Sequence, residues 1–290
     1  MGKKRRHHYV PEFYLKGFID PADKPYIWIY EKGNPKIKKA TTKDIAIKKY
    51  YYSYRTPEGD KDSETVENFL AEIERKVAPI FKKIKHHKTL SDEERWLFSA
   101  FLASMMTRVP AFRNSTEKAI GNLVKRIGPI IAYKESKKIA ERLLSGDYTI
   151  EVEVSPIFSL AMIPLSVRDF APIFYKMTWS FFQATKNCKF ITSDNPLYFY
   201  DPTYNRKSPY GVGLIFKNIE VVFPISQELI FLGTWGRWQE GYTPIVLDKT
   251  IEEINRKTVI FALRFVYSSR KSENLNNLVQ KYKDSWSTYI

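Results

Sequence analysis

Alternating bulky and polar residues characterise the first sixty positions of the chain. The run "YIWIYEK" (26–32) alternates as a half-buried strand does, and the turn signal "NPK" separates it from a second run, "KIKKATT". A third run, "KKYYYSYR", ends at the turn signal "TPEGD". We therefore predict a small β-hairpin region near the N-terminus, with these three runs as strands.

From Val66 onward the apolar residues recur every three or four positions, which is typical of amphipathic helices. The first of these helices is expected to kink or split near Pro79, which has no amide proton to donate. Ser91 and Glu94 form a predicted capping box for the next helix, and its apolar residues on nearly every side indicate a buried position. Further helices are predicted over 110–126, 129–144 and 156–175.

Beyond Met177 the hydrophobic period changes to two, which predicts a second, mostly antiparallel sheet. Its strands are expected at "TWSFFQA", "KFITSD", "IEVVFPIS" and "LIFLGTW". The run "DKTIEEINRKTVIFALRF" predicts a closing helix that Thr250 and Glu253 cap, and a last helix is expected from Ser272.

Together these patterns predict an α+β fold with one domain over residues 1–290. A helical central part is flanked by the N-terminal small β-hairpin region and the C-terminal mostly antiparallel sheet, and residues 1–6 form a basic N-terminal arm. A hydrophobic content of 43% excludes a disordered chain. No apolar run approaches the roughly 20 residues of a membrane span, and the single cysteine, Cys188, excludes an internal disulfide. We expect a cytoplasmic protein without a membrane partner.

The charge changes this picture most, because 47 Lys and Arg residues against 32 Asp and Glu residues give a net charge of +15. Such an excess attracts phosphates and so favours DNA or RNA as a partner. A lysine-rich surface that reflects only the bias of its host proteome explains the same number. Net charge alone does not decide between the two interpretations.

The stretch "RRHHYVPEFYLKGF" places two of the four histidines beside a predicted helix start at Pro11. A neutral imidazole there can act as a general base or bind a metal, so His7 and His8 are candidate catalytic residues. The alternative is an extended basic arm with solvated histidines, although the aromatic residues that follow favour a buried segment. "HHYVP" also resembles the opening of the His-Asn-His nuclease motif, but the rest of that motif is absent.

Two further segments carry candidate chemistry. In "FITSDNPLYF" a predicted strand ends at Asp194 and Asn195, where flanking apolar strands would hold a catalytic carboxylate rigidly. Ser, Asp, Asn and Pro are also ordinary turn residues, so a structural turn is the competing interpretation. Arg108 ends the most buried predicted helix and needs a partner, for which a carboxylate such as Glu74 or Asp194, or a substrate phosphate, would serve.

Five blocks, "HHYVPEFYLKGF", "TRVPAFR", "FITSDNP", "FPIS" and "RFVYS", resemble in order and spacing a large prokaryotic family, the domain of unknown function 4238. The resemblance covers almost the whole chain and implies a single domain found in bacteria, archaea and their mobile elements. It implies no activity. The family's marked positions correspond here to His7, His8, Tyr9, Pro11, Arg108, Pro110, Asp194, Asn195 and Pro196.

Three functions are consistent with these features. The first is a nuclease in which His8 activates water or binds a divalent metal, His7 and Asp194 complete the site, and Arg108 stabilises the developing charge. Asn195 would belong to the same site. The second is a non-catalytic nucleic-acid-binding or regulatory protein of a mobile element or defence locus. The third is an enzyme acting on a small molecule in an aromatic pocket.

Two expectations separate these functions. A catalytic site requires a side-chain atom of His7 or His8 within roughly 8 Å of Asp194 or Arg108. Nucleic-acid binding by the arm would depend on its four cations, and their replacement by serine should weaken binding and reduce its salt dependence. These cations are Lys3, Lys4, Arg5 and Arg6.

Overall fold

Two mainly antiparallel sheets and a group of long helices enclose one large hydrophobic core, as seen in a computed structural model. The structure describes residues 6–56, 58–204, 212–245 and 247–285. The helices are α1 (Glu12–Leu15), α2 (Thr65–Lys85), α3 (Asp92–Thr107), α4 (Pro110–Glu135), α5 (Lys137–Ser145), α6 (Pro156–Lys176), α7 (Asp248–Phe261) and α8 (Glu273–Lys281), with short 3₁₀ turns at Lys16–Phe18 and Pro21–Asp23. The strands are β1 (Arg6–His8), β2 (Tyr26–Glu31), β3 (Asn34–Thr41), β4 (Ile47–Lys49), β5 (Tyr54–Arg55), β6 (Lys61–Asp62), β7 (Thr178–Gln183), β8 (Thr192–Ser193), β9 (Tyr198–Tyr200), β10 (Glu220–Ser226), β11 (Leu229–Thr234), β12 (Gly241–Pro244) and β13 (Phe265–Ser268).

The strands form a five-stranded sheet in the order β12-β7-β11-β10-β9 and a four-stranded sheet in the order β3-β2-β13-β8. All neighbours in these sheets are antiparallel except β12 and β7. Two small pairs, β1 with β4 and β5 with β6, complete the N-terminal region. The predicted α+β class, with N-terminal hairpins and a C-terminal sheet, is therefore confirmed.

The third predicted strand is divided in the structure. Strand β4 ends at Lys49 because Tyr50 adopts a left-handed conformation with φ of 54°, and β5 begins only at Tyr54. The turn between these strands places the ring of Tyr52 in the core, where the side chain is fully buried. The predicted pairing of the first two runs is confirmed, since β2 and β3 form an antiparallel pair. The predicted turn "NPK" is wrong, because these residues begin β3 and the chain turns at Lys32 and Gly33, where the glycine has φ of 77°.

Helix α3 is the most buried helix of the central part, as predicted from its apolar residues. Ser91 and Glu94 form the expected capping box at its start. Helix α2, by contrast, continues across Pro79, so the predicted split is wrong. Proline removes only one helical hydrogen bond, and the turns on both sides keep theirs.

Helix α4 continues across Pro129, so the predicted separation of helices over 110–126 and 129–144 is wrong. Helix α6 has 21 residues and continues across Pro164 and Pro172, close to its predicted range of 156–175. Its most apolar window has a mean hydropathy of 1.5, so α6 is long and apolar enough to cross a membrane, which the search for uninterrupted apolar runs did not detect. A buried core helix meets the same criteria, and α6 packs along α3.

The C-terminal helix also differs from its prediction. Helix α7 ends at Phe261; residues 262–264, predicted to continue it, form a short connection, and Phe265 begins strand β13 between β2 and β8. No side chain caps its start, so the predicted capping box at Thr250 is wrong. Helix α8 begins as predicted, where Ser272 accepts a hydrogen bond from the amide of Leu275.

The N-terminal segment after β1 lies inside the fold. Tyr14, Leu15 and Phe18 are fully buried, and the Tyr14 hydroxyl lies 2.7 Å from Thr192 Oγ1 on β8. Gly17 packs so closely on β10 that an added Cβ would lie 3.0 Å from the Ile225 carbonyl oxygen. The aromatic residues after the histidines are thus core residues.

Candidate functional site

Strand β1 places the two histidines differently. Its alternation exposes Arg6, buries His7 and leaves His8 half-buried, while the strand pairs with β4. The His7 Nδ1 atom accepts a hydrogen bond from the Tyr52 amide at 3.0 Å, and the two rings stack with centroids 5.4 Å apart. Since Nδ1 is an acceptor, the neutral His7 ring carries its proton on Nε2. His7 therefore orients the turn that contains Tyr52.

Arg108, at the end of α3, is 2% exposed and forms three hydrogen bonds. Its Nη1 donates to Glu74 Oε1 at 2.7 Å, and its Nη2 donates to the His8 carbonyl oxygen at 2.9 Å. Its Nε donates to the Tyr52 hydroxyl at 3.2 Å. The expectation that Arg108 needs a carboxylate partner is thus met by Glu74, and the guanidinium joins α2, α3 and β1.

The electrostatics of Arg108 favour a permanent charge. Burial acts to lower its pKa, but the surrounding Tyr52 and Glu74 side chains raise the pKa on balance. A cation in this position is retained because its partners replace water.

His8 differs from His7 because its Nε2 atom is buried and has no hydrogen-bond partner in the described part of the chain. Burial lowers the pKa of His8 below its usual value of 6.5, while a hydrogen bond with the Thr42 backbone acts in the opposite direction. The carboxylates of Glu12 and Glu74 also act to raise it. His8 is therefore neutral at pH 7 and keeps a lone pair for a proton or a metal ion.

A cavity of about 480 Å³, called the Glu12 cavity here, is connected to this histidine through one of its lining residues. Its walls include Glu12, Lys16, Lys24 and Lys43. Glu12 forms an ion pair with Lys16 at 3.0 Å, which leaves an excess of positive charge on the walls. Thr42, whose backbone bonds to the His8 ring, is also part of the lining. The cavity therefore suits an anionic group.

Asp194, at the end of β8, has its carboxylate turned inward and is 2% exposed. Its Oδ1 accepts a hydrogen bond from the amide of Leu263 at 2.9 Å. Its Oδ2 accepts two more, from the amides of Arg264 at 2.8 Å and Phe265 at 2.9 Å. These amides follow the last residue of α7. Their bonds to the carboxylate therefore fix the backbone where the helix ends and β13 begins.

The surroundings of Asp194 set its protonation. Burial raises its pKa to about 6, against the lowering effects of the three amides and of Lys32. Burial also lowers the pKa of Lys32 to about 8, and this ammonium donates to the Ala262 carbonyl oxygen at 2.7 Å. Tyr9, which is hydrogen-bonded to Tyr267, lies in the electrostatic range of the carboxylate and has its pKa raised by burial.

Asn195 is fully buried beside Asp194 and binds the same part of the backbone, between the end of α7 and the start of β13. Its side-chain amide donates, at 2.9 Å, to the carbonyl oxygen of Phe261, which is the last residue of α7. Its backbone amide donates to Ser193 Oγ at 3.1 Å. The "SDNP" segment thus binds both the carbonyl end of α7 and the amides that follow it.

The predicted residues therefore belong to two networks. His7, His8 and Arg108 meet around Tyr52, whereas the hydrogen bonds of Asp194 and Asn195 go to residues 261–265. The contact of Arg108 with His8 is made through the His8 backbone, so the expected side-chain convergence and the catalytic roles stay predictions.

Sequence reasoning missed Tyr52 and Glu12, which organise the surroundings of His8. Tyr52 lies in the tyrosine run that was predicted as one strand, and the run does not tell which ring turns inward. Glu12 follows Pro11 in the first block, where its position in the first turn of α1 was the available signal.

A row of exposed lysines follows the edge strand β3 and continues to β4. We call Lys36, Lys38, Lys39, Lys43 and Lys49 the lysine strip. Lys38 and Lys39 are paired with Glu31 and Asp23, while in the described ranges the other three form no ion pair.

Arg6 connects the predicted arm to the lysine strip. It lies opposite Lys49 in the β1–β4 register, and its guanidinium donates to the Lys43 carbonyl oxygen at 3.2 Å and to Asp44 at 2.9 Å. Lys3, Lys4 and Arg5 lie outside the described residues. Arg6 itself therefore lies beside Lys43 and Lys49.

Metal ligands are not clustered in the part of the chain that the structure describes: it contains no group of three or more His, Cys, Asp or Glu side chains suited to an ion. A family model described as "Protein of unknown function (DUF4238)" matches residues 6–272. Comparison with curated proteins and with solved structures finds no match.

Proposed function

Since the chain belongs to the DUF4238 family, a family without an assigned activity, we propose a function from its own surface: it binds nucleic acid through the lysine strip. The supporting observation is that Lys36 on β3, Lys43 in the loop after it and Lys49 on β4 are exposed without carboxylate partners in the described residues. The net charge of +15 provides the long-range attraction.

Aromatic side chains beside the strip support contact with bases as well as phosphates. Tyr26 is 42% exposed, and Lys39 Nζ lies 5.0 Å from the ring centroids of both Tyr26 and Trp28. Cations interleaved with exposed rings are the combination by which single strands are bound without sequence preference. Lysines on an edge strand also prevent sheet-to-sheet aggregation, which is the competing explanation for Lys36 and Lys38.

Replacing Lys36, Lys43 and Lys49 together with serine is expected to weaken nucleic-acid binding and to reduce the salt dependence. Each lost phosphate contact lowers the slope of log K against log salt by about 0.9 for duplex DNA and about 0.7 for single strands. Fluorescence anisotropy with labelled DNA and RNA over a salt series would measure both quantities.

The matched control replaces Lys118, Lys125 and Lys134, which are exposed on α4, with serine. Both variants remove the same charge, so only a local interface makes them differ. Equal losses would mean that net charge and not the strip governs binding. Absence of binding by the wild type to either polymer at low salt would refute the proposed function.

A second candidate function is phosphodiester cleavage, which the unpartnered Nε2 of His8 favours. In this function the Glu12 cavity admits a phosphate beside Lys43, and neutral His8 takes a proton from the attacking oxygen. Because Nε2 is buried and His8 is not part of the cavity lining, the side chains around the ring must move for the nucleophile to reach it. Lys43 belongs to both the cavity and the strip, so binding and cleavage would use adjoining surfaces.

Under this second function, His8→Ala should leave affinity nearly unchanged and reduce the cleavage rate by about 10²–10⁴-fold, the usual contribution of a general base. His86→Ala is the matched control, because His86 is exposed at the end of α2. A gel assay of cleavage on the samples used for binding would compare them. Cleavage that persists in the His8 variant would exclude this role.

A further inference from the structure

A second cavity, of about 590 Å³, lies between the outer face of the five-stranded sheet and α7. Its floor is formed by Phe182, Ile230 and Leu232 from the neighbouring strands β7 and β11, and Ile254 of α7 forms the opposite wall. We call it the sheet–helix cavity. Cavities of about 300–1,000 Å³ with such walls are the usual size of small-molecule sites.

The rim of the sheet–helix cavity exposes large apolar side chains. Trp238 is 45% exposed and Leu247 is 65% exposed, and the Trp238 ring stands edge-on to Phe182 with centroids 5.6 Å apart. An aromatic and aliphatic opening of this kind favours a ligand with an apolar body over water.

The carboxylates of this cavity are already neutralised. Glu220 is 8% exposed, accepts a hydrogen bond from the Tyr200 hydroxyl, and is bound by Arg237 at 2.8 Å. Glu253 accepts hydrogen bonds from both Nε and Nη2 of Arg256. Neither carboxylate is therefore left to attract a cationic ligand.

The cations of the cavity are not neutralised in the same way. Lys257 Nζ lies 3.8 Å from the Tyr200 ring centroid, and in the described residues neither Lys257 nor the exposed Lys249 forms an ion pair. Burial lowers the pKa of Lys257, although Glu220 and Glu253 oppose this effect through space. An anion beside Lys257 would stabilise its charged form.

We infer that the sheet–helix cavity binds a small amphipathic anion, with its apolar chain or ring against the strand residues and its acidic group beside Lys257. This site is separate from the lysine strip, and none of its lining residues belongs to the networks of His8 or Asp194. Its ligand is a small molecule such as a medium-chain carboxylate.

The test compares decanoate, decan-1-ol and decylammonium, which share one apolar body and differ in charge. Isothermal titration calorimetry on the full chain, below the micelle concentration of each compound, should show decanoate binding about fivefold tighter than the alcohol, the effect of one partly exposed charge pair. Decylammonium should bind most weakly. No binding of decanoate, or equal binding of the two charged compounds, would overturn the proposal.

Two variants test the location. Leu232→Trp fills the cavity and should reduce the affinity for all three compounds by about tenfold or more, since the ligand loses its apolar contacts. Lys257→Gln should reduce the affinity for decanoate to the affinity for the alcohol. Lys118→Gln on α4 is the control, because it removes the same charge. Decanoate affinity unchanged in either cavity variant would overturn the proposal. Because Lys257 is only half-buried and forms no ion pair in the described residues, its variant keeps the test valid if Leu232→Trp fails to fold.

Discussion

Replacing Arg108 with alanine is expected to lower the free energy of unfolding by about 3–5 kcal/mol, the usual cost of removing one partner from a buried ion pair. The guanidinium is 2% exposed and satisfies Glu74, the Tyr52 hydroxyl and the His8 carbonyl oxygen. Alanine would leave a cavity and three groups without their donor. Urea unfolding followed by circular dichroism would measure the loss.

Two further variants give this prediction its controls. Arg108→Lys keeps the charge but not the planar fork, so it should restore only part of the stability. Arg75→Ala removes an exposed arginine that pairs with Glu72 on α2 and should cost no more than about 1 kcal/mol. If Arg108→Ala were as stable as Arg75→Ala, Arg108 would be free for a ligand and the structural role would be wrong.

Asp194→Asn is expected to lower the free energy of unfolding by about 2–3 kcal/mol at pH 7, because it reverses the polarity of one buried contact. The carboxylate accepts amide hydrogen bonds at both oxygens, from Leu263 and from Arg264 with Phe265. An asparagine presents one oxygen and one NH₂ group, so one of these amides faces another donor. Asn195→Ala, which removes the side-chain bond to Phe261 and leaves the Asp194 carboxylate with its amides, should cost less.

The same variant should change the pH dependence of stability. The pKa of Asp194 is raised from its usual value of 3.8 to about 6, so between about pH 4 and pH 6 the native state holds a proton that the unfolded chain has released. This contribution to stability is complete below about pH 4 and is lost as the pH rises through about 6, a change on the order of 3 kcal/mol. Unfolding at a series of pH values should show the gap between wild type and Asp194→Asn widening toward pH 4. A constant gap would contradict the raised pKa.

The elements that the sequence predicted well are those fixed by local contacts. The capping box of α3 depends on Ser91 and Glu94 alone, and the β2–β3 pair depends on a short turn between two alternating runs. Both are decided within a few residues of the chain, so pattern and turn chemistry suffice.

The end of α7 could not be predicted in this way. Residues 262–265 continue a helical pattern in the sequence, yet the amides of 263–265 are taken by Asp194, about seventy positions earlier in the chain. Competition from a distant carboxylate leaves no signature in the local period. Pro79 in α2 and Pro129 in α4 misled for the opposite reason, because local rules exaggerated the effect of one missing donor.

The candidate site was predicted in part. The need of Arg108 for a partner followed from burial alone, and Glu74 was one of the three partners that the sequence left open. The separation of His8 from Asp194 into two networks did not follow, because it depends on how three distant segments pack. The family's marked positions include Arg108 in one of these networks and Asp194 and Asn195 in the other. The hydrogen bonds of these residues give a structural reason for their residue types.

The buried position of the N-terminal segment has a consequence for synthesis on the ribosome. Tyr14 packs against Phe223 and reaches Thr192, and the Gln227 amide donates to the Gly17 carbonyl oxygen. These partners leave the ribosome only after most of the chain has been made, so the first aromatic residues must wait without their native contacts. We therefore expect release of the full chain, and not emergence of the helical part, to be the step at which a nascent protein acquires resistance to proteases.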